Sequence, residues 1–115
     1  MPDKLLRLDP AARVALEDLQ IPGEPNIYLH LVSVFLRTAE GYIAEIKDKS
    51  GDITAVREAA HALKSASASI GAQMLADLCG QMEAERSLLK IRTLTTQLES
   101  EYLEVRNLLQ TGKAA

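Results

Sequence analysis

The chain has 115 residues, enough for one hydrophobic core and too few for two ordinary ones, so a single domain over residues 1–115 is expected. Hydrophobic residues make up 47% and charged residues 25%, which excludes a disordered tail, and charge-free runs such as Ser65–Ala76 fall well short of the roughly 20 apolar residues that span a bilayer. A net charge of −3 offers no general attraction to nucleic acid or anionic lipid, so no nucleic-acid or membrane contact is expected and proteins are the expected partners.

The stretch Met1-Pro-Asp-Lys-Leu-Leu-Arg7 interrupts its apolar residues with charges and lacks a secretory h-region, which leaves a cytoplasmic location as the expectation. All four prolines, at positions 2, 10, 22 and 25, lie ahead of residue 26, and nothing after them forbids helix. Asp9-Pro10 reads as the N-cap and first position of a short helix over about 9–20, which Ile21-Pro-Gly-Glu-Pro25 ends. From Asn26 to about Lys49, Leu29, Val32, Leu36, Ala39, Ile43 and Ile46 recur every three or four residues and predict one apolar stripe on a long helix. Ser50-Gly51 breaks the chain and Asp52 can cap the next helix, where Ile53, Val56, Ala60, Leu63, Ser67 and Ile70 repeat the spacing up to Gly71. A further helix carries Leu75, Leu78 and Met82, and the last, capped by Ser87, carries Ile91, Leu94, Leu98, Tyr102, Val105 and Leu109 before Gly112 stops it. Gly41 and Gly80 fall inside these helices, where local bends are expected. Four long amphipathic helices with short breaks predict an all-α, antiparallel four-helix bundle, up-down-up-down, over about residues 26–111, with the short first helix added at one end.

Ten of the fourteen residues from Ala59 to Ala72 are Ala, Ser or Gly, and His61 and Lys64 stand among them. His61 falls roughly 130° around its helix from the centre of the apolar stripe, on the solvent side. Lys64 at i+3 and Ser65 at i+4 share its face, with Ala68 one turn further. Short side chains around an exposed imidazole suit close approach of another macromolecule, whereas a small-molecule site is usually recessed. The competing reading is ordinary, since Ala favours helix and most exposed histidines carry no function.

Other chemistries find less support. Ser65, Ser67 and Ser69 have no nucleophile elbow, and His30 shares a face with Ser33, Arg37 and Glu40, as a solvated residue would. No glycine-rich phosphate loop and no Cys/His cluster with zinc-ligand spacing is present in the sequence, so no metal site is expected in this chain. The lone Cys79 reads as a small buried hydrophobe.

The string His61-Ala-Leu-Lys-Ser-Ala-Ser-Ala-Ser-Ile-Gly71-Ala, followed by Leu75, Leu78, Cys79 and Glu83, closely resembles the signature of histidine-containing phosphotransfer (HPt) domains. Those domains typically read H-x-L-K-G-S/A, then a glycine ten residues after the histidine, then L-x-x-L-C-x-x-L-E; here Met82 replaces the last leucine and Ser65 the usual glycine. The resemblance covers about residues 27 to 110 and implies a four-helix bundle. It also implies that His61 accepts a phosphoryl group from an aspartyl phosphate on a response-regulator receiver domain and passes it to the aspartate of another, one step of a two-component phosphorelay. Glu83 would hydrogen-bond the ring nitrogen that is not phosphorylated, and Gly71 and Cys79 would be structural. Receivers bring their own Mg²⁺, so this chain is expected to bind no cofactor.

Neutral imidazole is a competent nucleophile near neutral pH, and Lys64 one turn away can neutralise phosphoryl oxygens as charge develops. Arg57, Glu58, Ser65 and Ala68 complete the expected docking surface. The chain is expected to act as a phosphocarrier with no autonomous enzyme activity, monomeric as an isolated domain, and as a candidate cytoplasmic module of a hybrid, membrane-bound sensor kinase. Two other readings stay open: a helical bundle that docks a receiver or another signalling protein without carrying phosphate, and the histidine-bearing domain of a chemotaxis-type kinase.

Overall fold

A computed structural model describes residues 4–112, and the ends of the expected 1–115 domain, residues 1–3 and 113–115, lie outside the described residues. Five helices follow in order: α1 (Pro10–Glu17), α2 (Ile27–Asp48), α3 (Ile53–Ile70), α4 (Gln73–Ala84) and α5 (Leu88–Thr111). Most boundaries have a visible cause. Asp9, Asn26, Asp52 and Ser87 each accept a backbone N–H of their own first turn, and Gly71 and Gly112 take the left-handed conformation that ends α3 and α5, at φ 85° and 72°. The first helix stops at Glu17 rather than near Gln20, and residues 18–20 continue as looser turns. The fourth is not long: α4 has 12 residues and an N-cap, Ala72, with no side-chain cap bond.

Helices α2 to α5 form the bundle, with α5 closing back on α2. Short connections make sequence neighbours antiparallel. Across the closing seam Lys47 meets Glu99 while Glu40 meets Tyr102 and Arg106, so α2 and α5 run in opposite directions. One core cluster contains Ile46, Val56, Leu63, Leu75, Met82, Ile91, Leu98 and Val105, each essentially fully buried. Each such side chain contributes about 1.5–3 kcal/mol relative to exposure. On α2 the stripe is rotated from the expected one at its first turns: Tyr28 and Phe35 enter the core, whereas Leu29 is 60% exposed and Leu36 is half-buried. The Phe35 ring lies beside Tyr102, with the two centroids 6.4 Å apart, and the Tyr28 ring takes the Arg13 guanidinium 4.7 Å from its centroid.

The segment ahead of α1 is part of the fold in a way the sequence does not announce. Leu6 donates its N–H to the Gln73 side chain and its carbonyl accepts the Met74 N–H, so this distant peptide serves the uncapped start of α4. Asp9 N–H bonds the Gly71 carbonyl at 2.8 Å, and the Arg7 guanidinium grips buried Glu101 through two bonds of 2.9 and 3.0 Å. A Cβ on Gly71 would lie 2.7 Å from Ala12 Cβ, which shows how closely α1 rests on the α3–α4 turn.

Candidate functional site

His61 sits between Ala60 and Leu63, both fully buried, yet its own side chain is 66% exposed, as its place on the helix wheel requires. The antiparallel α4 brings Glu83, in its last turn, beside that ring. His61 Nδ1 and Glu83 Oε1 are 2.6 Å apart, and Lys64 Nζ lies 2.7 Å from Oε2 and 3.4 Å from Oε1 of the same carboxylate. A carboxylate near a helix C-terminus faces the unfavourable end of the macrodipole, and here two donors from α3 offset that. Hydrogen bonds from Lys64 and then His61 hold the Glu83 carboxyl below the usual carboxylate range. Glu83 is therefore ionised at neutral pH and can only accept. The proton of a neutral His61 ring must then reside on Nδ1, and the Nε2 lone pair is free. Among the described residues no protein group bonds Nε2.

The remaining sequence candidates divide clearly. Glu58, Ser65 and Ala68 are exposed on the same helix as His61, and Ser65 also accepts the Ser69 hydroxyl through its carbonyl at 3.0 Å. Arg57 is half-buried one turn before His61. Lys64 is brought to Glu83 rather than left as an unpaired cation, and the Gly80 position beside its stem would place a Cβ 3.8 Å from Lys64 Cδ. Cys79 is fully buried and burial pushes its thiol up to about 12, so it behaves as an inert packing group. His30 is exposed together with Ser33, Arg37 and Glu40.

One feature near the site was missed in the sequence. An apolar groove of about 240 Å³ is lined by Leu16, Leu31, Val34, Thr38, Ala66 and Ser69. Ser65 and Ser69 continue the His61 face toward it, Ser69 being about 12 Å along the helix axis from the histidine. The available signal was the row Leu31, Val34, Thr38, a second three-four spacing beside the core stripe of α2. No three His, Cys, Asp or Glu side chains gather as a metal site among the described residues, and no described helix is long and apolar enough to cross a membrane.

The His61 imidazole, held at one nitrogen and without a protein partner at the other, can act chemically as a nucleophile toward an incoming group. Residues 30–112 match the family described as Hpt domain, and the chain belongs to that family. Its role is phosphotransfer in a phosphorelay, in which Hpt domains exchange phosphoryl groups with response-regulator receiver domains. Among solved structures, histidine-containing phosphotransfer protein B (HptB) from Pseudomonas aeruginosa PAO1 is similar at 26% identity and a TM-score of 0.80, covering 92% of this chain and 93% of that one. The maize histidine-containing phosphotransfer protein ZmHP2 shares the fold at 23% identity and a TM-score of 0.79, covering 91% of this chain and 86% of its own. No curated protein sequence gives a comparable match.

Proposed function

We propose that His61 is the phosphoacceptor, taking a phosphoryl group from an aspartyl phosphate of one receiver and passing it to the aspartate of another. The bond from Nδ1 to Glu83 carries this reading, because it leaves Nε2 unprotonated on the exposed side of the ring. The Nε2 lone pair attacks phosphorus, the acyl P–O bond breaks, and its electron pair stays on the donor aspartate. The ring keeps its Nδ1 proton and becomes a phosphoimidazolium whose positive charge faces the Glu83 carboxylate. Lys64 neutralises phosphoryl oxygens by exchanging part of its contact with Glu83 for them. Mg²⁺ belongs to the receiver. Ser65 and Ala68 let that partner approach, Glu58 rims the contact, and the apolar groove on the α2 side of α3 supplies burial for docking. The chain works as a monomer in the cytoplasm, where receivers are found.

Incubation with a phosphorylated receiver should label the chain with an acid-labile, base-stable phosphate that His61→Ala abolishes. Absence of label on the intact chain across cognate receivers overturns the proposal. A docking module that carries no phosphate would instead keep its full signalling output after His61→Ala.

A further inference from the structure

Lys64 is one of two cations beside His61. Taking about 100° per residue, Arg57 lies about 40° around α3 from His61, on the same side as Lys64 at about 60°. That side faces α4, since Lys64 reaches Glu83 there. Helical side chains lean toward the N-terminus, so the His61 ring tilts over the turn that holds Arg57. The two cations differ in how far they are already engaged. Lys64 is bound to both oxygens of Glu83. Arg57 makes no ion pair with any described residue, and its Nε is shut away from solvent with no acceptor. Its two Nη groups also make no bond to a described residue and are not closed off, so they are the donors that an acceptor brought from outside can reach.

We propose that Arg57 is the second phosphoryl-binding cation of the site, its guanidinium taking terminal phosphoryl oxygens as phosphorus passes to Nε2 of His61. The inference rests on His61 as phosphoacceptor. In the transition state, charge spreads over three equatorial oxygens, and a planar fork of N–H donors matches two of them at once. Lys64 must release part of Glu83 to help, whereas Arg57 has nothing to release. The bond changes are those already described: N–P forms, P–O of the donor breaks with its electron pair left on the donor, and Arg57 gives up no proton.

Phosphoramidate tests this without a protein partner, since it donates a phosphoryl group to imidazole and releases ammonia. The rate of His61 phosphorylation by phosphoramidate should fall about tenfold to hundredfold in Arg57→Met, the range set by loss of one charged hydrogen bond, and recover in part in Arg57→Lys. Transfer from a saturating phosphorylated receiver should fall by a similar factor, while affinity for the unphosphorylated receiver stays within about twofold. An unchanged phosphoramidate rate overturns the proposal, and if receiver affinity alone weakens, Arg57 is a docking residue. If circular dichroism shows Arg57→Met unfolded, Arg57→Gln, which keeps a polar group at the buried position, carries the same expectations. Failure of the intact chain to label with either donor would count against His61 as acceptor, a result distinct from equal labelling of intact chain and variant.

Discussion

Two seams of the bundle are each crossed by a glutamate that accepts from a ring and faces a cation, and only one of them leaves a ring heteroatom without a protein partner. At the α3–α4 seam Glu83 takes His61 Nδ1 and Lys64. At the α2–α5 seam Glu40 takes the Tyr102 hydroxyl at 2.7 Å, with Arg106 3.7 Å away. Burial, followed by the bond to Glu40, raises the Tyr102 phenol above its ordinary value, so it remains a donor throughout the physiological range. A phenol has one heteroatom, and that atom is spent on the bridge. An imidazole has two, and the geometry spends one while leaving the other without a partner among the described residues. The difference between the two bridges is one of atom count and exposure, with Tyr102 3% exposed and the His61 side chain 66%.

The contrast can be broken most severely at the turn that sets the α3–α4 seam. Gly71→Ala forces a side chain into φ 85° and to within 2.7 Å of Ala12 Cβ and 3.0 Å of the Asp9 carbonyl. Chemical denaturation should show a loss of roughly 2–4 kcal/mol, left-handed strain plus overpacking. Next in size, Glu83→Gln should slow transfer from a phosphorylated receiver about tenfold to hundredfold, the worth of one charged hydrogen bond, with the melting curve little changed. Glu40→Gln should leave the transfer rate alone, and an equal loss in both variants would erase the distinction between the seams. Tyr102→Phe should cost about 1 kcal/mol in urea denaturation and nothing in transfer. The smallest effect is electrostatic. Because the folded Glu83 carboxyl lies below its unfolded value of about 4.3, the clamp's contribution is complete above that pH and disappears as acid brings the solution through the lower folded value. Titration of the Glu83 carboxyl carbon by NMR should place its midpoint below that of an unperturbed glutamate, and Lys64→Met should move it up, since Lys64 is the larger cause of the depression.

Helix ends and the exposed His61 face were legible because they are local. Asp9, Asp52, Ser87, Gly71 and Gly112 announce their turns through side-chain and backbone chemistry within three or four residues. The exposure of His61 followed from helical periodicity alone, and the bond to Glu83 was foreseen only through family resemblance. Contacts far apart in sequence left no such trace. Nothing near Arg7 indicates Glu101, 94 positions away, and nothing near Lys64 shows that Glu83 already holds its ammonium. On α2 two apolar rows run side by side, and periodicity could not tell that the row with Tyr28 and Phe35 faces inward while Leu29 faces out.

The peptide at Leu6 changes what counts as the smallest working piece of this protein. Residues 30–112 carry the family match, yet the start of α4, the helix that holds Glu83, is hydrogen-bonded at Gln73 and Met74 by Leu6, and Glu101 on α5 is answered by Arg7. Excising the matched range alone would leave a buried carboxylate unanswered and a helix end bare, so the piece worth transplanting into another signalling protein begins ahead of Leu6.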